Sequence, residues 1–262
     1  ANSGHGVSTQ IGEVKFYPEN YQPTLSATAA SVLQGQSTTG NTIGTATTGT
    51  TQAANTLTTA VSSDGTNFGA SATLNGVTIS NVSVAANGNV TADLTATCAA
   101  TNANFTVRIT NNQAQIATAS VTVNVTANAA PTLTYNNASV NQGSGSTVSP
   151  VTGPTDDGSI STIVVQSVSP STAPGTITVH NTTGVVTVPN NIPAGTYTVV
   201  IRATDNCSAT TDASFTLTVI GTVPVLGNYS ATTVALGAQA TVTPSAAPTN
   251  TTSIAVKASS GF

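Results

Sequence analysis

The chain has no tryptophan and no methionine, five tyrosines, five phenylalanines and two cysteines, and charged side chains make up only 5% of its 262 residues. Each scarcity closes a class of function. Four cations (Lys15, Arg108, Arg202 and Lys257) stand against eight carboxylates for a net charge of −4. No basic patch exists to release counterions from a phosphate backbone, so nucleic acid is not an expected partner. No apolar run approaches the roughly 18 residues that a membrane-spanning helix needs. Catalysis would have to draw on two histidines, His5 and His180, without a G-x-S-x-G elbow, an H-E-x-x-H pair or a phosphate loop. The expectation is a protein that is not an enzyme.

Hydroxyls and amides fill the place of charge: 53 Thr, 27 Ser and 24 Asn supply the polar surface. A disordered chain would be depleted in β-branched residues and carry high net charge; this one is rich in Val, Ile and Thr, so it is expected to fold. The opening ANSGHG shows no signal-peptide pattern but fits what remains after one is removed. With no Met even at position 1, the chain reads as a processed product or a fragment, secreted or held at the cell surface.

Internal repetition is the strongest positive signal. Residues 23–35 read PTLSATAASVLQG and residues 131–143 read PTLTYNNASVNQG, with a third copy starting at Pro224 and running to Gly237. The starts lie 108 and 93 residues apart, each length suited to one sandwich domain. Closing segments match as well: TASVTVNV (118–125) and DASFTLTV (212–219) both alternate apolar and polar residues, the period of a half-buried strand. Between them, short segments such as ISTIVVQSV, GVVTV and GTYTVVIRAT are separated by Pro, Gly and Asn clusters. No helical period is present, and about seven short strands per repeat is the pattern of a β-sandwich.

Residues 175–219 carry a resemblance to the C-terminal half of bacterial immunoglobulin-like and cadherin-like repeats of large surface proteins, through the T-G-V-V-T-V strand, P-A-G-T-Y-T-V, the A-T-D-N turn and the final alternating strand. It implies an all-β fold of tandem immunoglobulin-like β-sandwich domains, the last incomplete. The expected organisation is residues 1–22 as a leader or exchanged strand, 23–130 as a divergent and enlarged first sandwich, 131–223 as the second, and 224–262 as the first half of a third. Extra residues of the first repeat are placed in 37–60 and around NVTADLTATCAATNANFTV, as one additional strand pair. The leader holds both glutamates, Glu13 and Glu19, and GEVKFYP alternates well enough to pair as a strand, in cis or on a neighbouring subunit.

The resemblance to cadherin-like repeats also implies calcium, held by Asp156 and Asp157 in PTDDGS, Asp205 in ATDN, and Asp212. Against this stand turn roles for the same residues and the expectation that the two loops fall at opposite ends of the sandwich. Apart from calcium no cofactor is expected. Cys98 and Cys207 map to different strands of different repeats, so free thiols or bonds between subunits are expected. Nine N-x-S/T sequons are no more than chance gives this composition, though glycans remain a candidate modification. Thr-rich alternation without a short coil period argues against an ice-binding array.

Two functional readings follow. One is a non-enzymatic extracellular structural protein, a subunit of a bacterial surface filament, stalk or adhesin, forming a homo-polymer through strand exchange or lateral packing. The alternative is a glycan- or protein-binding module, or an accessory region of a larger exported enzyme. The final TTSIAVKASSGF aligns with the start of an early core strand of repeat 2, Ile254 matching Ile160. The reading is that the chain belongs to a longer repeat protein or receives strands from another subunit.

Overall fold

The alternating segments become the longest strands of the protein. In the computed structural model, which describes residues 22–172, 174–251 and 253–255, the chain divides into two units, Ala1–Asn128 and Ala129–Phe262.

The first unit contains β1 (Thr24–Ala27), β2 (Ala30–Leu33), β3 (Ser37–Thr47), β4 (Thr58–Ser62), β5 (Ser71–Leu74), β6 (Val77–Val84), β7 (Asn89–Ala96), β8 (Ala103–Thr110) and β9 (Ile116–Thr126), with one 3-10 turn at Ala54–Thr56. Two sheets form the layers, β1-β3-β7-β6-β5 and β2-β9-β8-β4. The chain changes layers after Ala27: β1 runs antiparallel to β3, while β2 crosses over and runs parallel to β9. Apolar residues at every second position meet between the layers, with Val61, Ile79, Leu94, Phe105, Ile109 and Val123 almost wholly buried. This strand order, with the first strand shared between the sheets, is immunoglobulin-like.

Sequence reading placed an extra strand pair in 37–60 or around 89–107. Those stretches instead hold β3, β7 and β8, and the added element is β5, hairpinned to β6 through Asn75 and Gly76. Both turn residues have positive φ, 52° and 77°, as a two-residue type I′ hairpin requires.

Outside the core, hydroxyls bond to one another across strands. Thr73 meets Thr78 at 2.8 Å, Ser37 meets Thr95 at 3.0 Å, and Thr24 meets Thr47 at 2.8 Å. Cross-strand Thr and Ser pairs stabilise a sheet locally and give the face its polarity without charge.

The second unit contains β10 (Thr132–Thr134), β11 (Ala138–Asn141), β12 (Ser146–Val148), β13 (Thr152–Thr155), β14 (Ile160–Ser169), β15 (Thr178–Val179), β16 (Val186–Val188), β17 (Gly195–Asp205) and β18 (Thr210–Ile220). One layer is the sheet β11-β18-β17-β14. The other is divided into β10-β13 and β12-β16-β15, because the strand opposite splits around Pro150, which has no N–H to give a ladder. Again β11 runs parallel to β18. Leu133, Ile163, Val186, Tyr197, Ile201 and Leu217 fill the core. Tyr135 stacks at a tilt on Phe215, centroids 5.2 Å apart, and bonds the Gly184 carbonyl through its hydroxyl. Burial pushes its pKa up to about 12.

After Ile220 the described residues form no named strand. Two isolated bridges, Val225 with Thr249 and Tyr229 with Pro244, organise the segment, and Leu226, Leu236 and Ile254 stand exposed. Ile254 lacks the strand that its sequence counterpart Ile160 begins. The expected exchanged strand in residues 1–22 lies almost wholly outside the described residues, as do His5 and Lys257.

Candidate functional site

Because β14 and β17 are antiparallel neighbours, the loop entering β14 and the loop leaving β17 meet at one end of the second unit. Ile160 faces Asp205 in the register. Beyond that pair the loops are fastened together: the Asn206 N–H donates to the Ser159 carbonyl at 2.9 Å, and the Ser159 N–H donates to Asn206 Oδ1 at 3.2 Å. This corrects the expectation that the DDG loop and the TDN loop fall at opposite ends. The expectation followed from setting a loop between early strands against one in the last hairpin, whereas the adjacency of β14 and β17 in the sheet is what sets the ends.

Three of the four candidate metal ligands lie in these loops. Asp156 accepts the Gly158 N–H through Oδ2 at 3.0 Å, and its Oδ1 is buried with no hydrogen-bond partner. The carboxylate of Asp157 accepts the Ala129 N–H, 3.1 Å from Oδ2. Asp205, only 2% exposed, accepts the N–H groups of Cys207 and Ala209 through Oδ1, both at 2.8 Å. That is an Asx-type turn, in which the side chain substitutes for backbone. Among the described residues no three side chains of His, Cys, Asp or Glu type gather closely enough to hold a metal by themselves.

Asp212 lies apart from the three. It faces Arg202 across β17 and β18, and the two make a bidentate pair, Nε to Oδ1 and Nη2 to Oδ2, each 2.7 Å. The guanidinium holds the Asp212 carboxyl below its usual range, and Arg202 is raised in return. His180 is a turn residue, its Nδ1 accepting the N–H groups of Thr182 and Thr183.

Cys98 and Cys207 are both disulfide-bonded and neither is a free thiol. The expectation of free thiols rested on their falling at non-equivalent strand positions. Cys98 lies in a turn after β7 and Cys207 in the turn after β17, and equivalence of positions in a repeat does not decide whether a cysteine is bonded. Sequence reading also missed Asn206, whose side chain and backbone join the two loops; the signal was its place directly after Asp205 at the end of a strand.

A carboxylate oxygen buried without a donor is unfavourable unless something compensates it. A hard cation is one compensation for Asp156 Oδ1, but Asp157 and Asp205 lie at the same end of the unit without gathering around it, so backbone oxygens would have to complete the shell.

No family model matches the chain, and no curated protein matches it. Solved structures do. The titin domains Z1Z2 in complex with telethonin match at 20% identity and a TM-score of 0.38, over 77% of this chain and 98% of that one. Sidekick-1 immunoglobulin domains 1–5 match at 15% identity and a TM-score of 0.41, over 77% of this chain and 40% of that one. Fibronectin(III)-like modules of CbhA from Clostridium thermocellum match at 14% identity and a TM-score of 0.29, over 76% of this chain and 95% of that one.

Proposed function

We propose that the chain is a non-enzymatic structural protein of the bacterial cell exterior, a self-associating subunit of a filament, stalk or adhesin built from immunoglobulin-like repeats. The observation that carries this reading is the parallel pairing of the second strand of each unit with its last, β2 with β9 and β11 with β18. The chain enters a unit through β1 or β10, crosses to the start of β2 or β11, and leaves the unit after the end of β9 or β18. Tension along the chain therefore pulls paired strands past each other and loads their hydrogen bonds together. Such an arrangement suits a load-bearing module. The hydroxyl-covered faces add a surface with little long-range repulsion between copies.

Imaging of the native material tests the proposal. Ordered polymers or surface fibres are the expected result. Isolated monomers under all conditions would sink the filament reading, while stretching single molecules tests the load-bearing part separately: discrete high-force unfolding events are expected, and a featureless low-force extension would overturn it.

A second reading concerns calcium at the Asp156, Asp157 and Asp205 end of the second unit. The unpartnered, buried Asp156 Oδ1 supports it. Asp212 is left out of this set because Arg202 already neutralises it. Bound calcium would supply charge compensation there and stiffen the two joined loops, and calorimetry with and without calcium tests it.

A further inference from the structure

Strand β14 is the outermost strand of its sheet. It pairs with β17 on one side, and among the described residues no strand pairs with its other side. The matching strand of the first unit, β4, is five residues long, and Gly69 covers part of its outer side by exchanging 2.9 Å hydrogen bonds with Val61. β14 is ten residues long, ISTIVVQSVS, with no charge, no proline and no such cover. Proteins usually blunt an edge of that kind with charge, proline, a covering segment or bulges, and of these β14 carries only two register shifts against β17.

Residues 159–169, S-I-S-T-I-V-V-Q-S-V-S, read almost the same in both directions about Val164. Ser159 mirrors Ser169, Ile160 mirrors Val168, Ser161 mirrors Ser167, Thr162 mirrors Gln166 and Ile163 mirrors Val165. The side on which residues lie follows the same symmetry. Ile160, Ile163, Val165 and Val168 stand opposite Asp205, Ala203, Ile201 and Val199, all buried, so these four face the core. Val164 stands opposite Arg202 on the outer face and is 45% exposed. Register shifts between Ile160 and Thr162 and between Val165 and Ser167 leave residues 162–165 as the continuous central stretch, with Val164 inside it.

We propose that β14 is a homodimerisation edge, pairing antiparallel with β14 of a second copy about a twofold axis at Val164. In that register core-facing residues meet core-facing residues, Thr162 meets Gln166, and Val164 meets itself. A one-residue slip would set core-facing residues against outward-facing ones, Ile160 against Ser167 or Ser169 for example, so the register is specified. Arg202, opposite Val164 on the outer face, is already neutralised by Asp212. An isologous contact closes on itself, so it joins two copies and leaves further assembly to another surface. The proposal deepens the self-association reading above and rests on it, naming the partner and the strand.

The test uses the full chain. Sedimentation across a concentration series is expected to show a monomer–dimer equilibrium. Because the native cysteines are bonded, introduced ones report the register: Val164→Cys is expected to crosslink to itself, since facing residues lie about 4.5–5.5 Å apart. Thr162→Cys alone is expected not to, its own copy lying four residues away or roughly 13 Å, while a mixture of Thr162→Cys and Gln166→Cys crosslinks. The double variant Thr162→Lys/Gln166→Lys sets like charges face to face twice and is expected to weaken the dimer about tenfold. A monomer at every concentration overturns both the pairing and the self-association reading. Association that persists without Val164→Cys crosslinking, and that the lysines leave unchanged, overturns the β14 pairing alone.

Discussion

The Tyr197 hydroxyl donates a hydrogen bond to the Pro193 carbonyl, 2.8 Å away and four residues upstream. The ring is buried at the start of β17, so the bond fixes the corner by which the chain enters that strand. It is the corner arrangement that immunoglobulin-like sandwiches use at the same strand. Tyr197→Phe keeps the ring and removes the bond, and is expected to destabilise the second unit by about 1 kcal/mol, read as a lower urea midpoint at unchanged slope. Among the described residues the first unit has no such bond to lose: Ala103, facing Val123, occupies the position that Tyr197 holds facing Leu217. Its unfolding is expected not to move.

Acid is expected to destabilise the first unit through Asp64. Oδ1 of this carboxylate accepts bonds from the Ser62 hydroxyl and the N–H groups of Thr66 and Asn67, and Oδ2 accepts one from the Asn67 side chain. These donors, the Asn67 N–H foremost, hold its folded pKa far below the usual carboxylate range. The unfolded chain therefore binds the proton more readily. The stabilisation is complete above the unfolded value of about 3.9 and erodes as pH falls towards the folded value. Asp93, held down by Asn81 and the Gly40 N–H, acts in the same direction. Thermal midpoints between pH 2 and 7 check this: Asp64→Asn is expected to flatten the acid limb, and an unchanged slope would exclude Asp64 as a source.

At Gly44 a side chain has no room. A Cβ there would lie 2.1 Å from the Ser26 carbonyl oxygen, at the place where β3 is held between β1 and β7. Only movement of β1 away from β3 relieves that contact, since the obstacle is backbone. Gly44→Ala is expected to cost about 1–3 kcal/mol, with hydrogen exchange accelerating first in β1.

The parts of this fold that repeat were legible, and the parts that depend on strand neighbours were not. TASVTVNV and DASFTLTV announced β9 and β18 by alternation alone, and P-A-G-T-Y-T-V announced the start of β17, though not the corner bond of Tyr197. The Asn75-Gly76 turn was also readable from its dipeptide, yet the extra strands were sought on either side of it. What no local pattern could give was the adjacency of β14 and β17, and this misplaced Asp156 and Asp205 at opposite ends. The bonded state of Cys98 and Cys207 escaped as well, since equivalence of repeat positions says nothing of bonding. The near-palindrome about Val164 was present in the sequence but acquires meaning only once β14 is known to be an edge.

Thiol chemistry checks the cysteine assignment directly. Protein unfolded in denaturant without reductant is expected to titrate no free thiol, and the same protein after reduction is expected to titrate two, one each from Cys98 and Cys207. Any thiol reacting before reduction contradicts the bonded state.

Asp156 offers the sharpest test of calcium. Without the ion, its Oδ1 is a buried acceptor lacking a donor, so replacing the carboxylate by an amide removes a charged oxygen that nothing satisfies. In chelator, Asp156→Asn is therefore expected to be no less stable than the unaltered protein. With calcium added the order reverses, because an ion that binds only the folded state raises stability by about 2.7 kcal/mol at a hundred times its dissociation constant. The unaltered protein is expected to gain most of that and Asp156→Asn little of it. Asp212→Asn serves as the comparison, since its carboxylate is engaged with Arg202 on the outer face; it is expected to keep the full calcium response. Equal midpoints with calcium and chelator in the unaltered protein would remove calcium from this end of the unit and leave Asp156 and Asp205 as turn-forming residues.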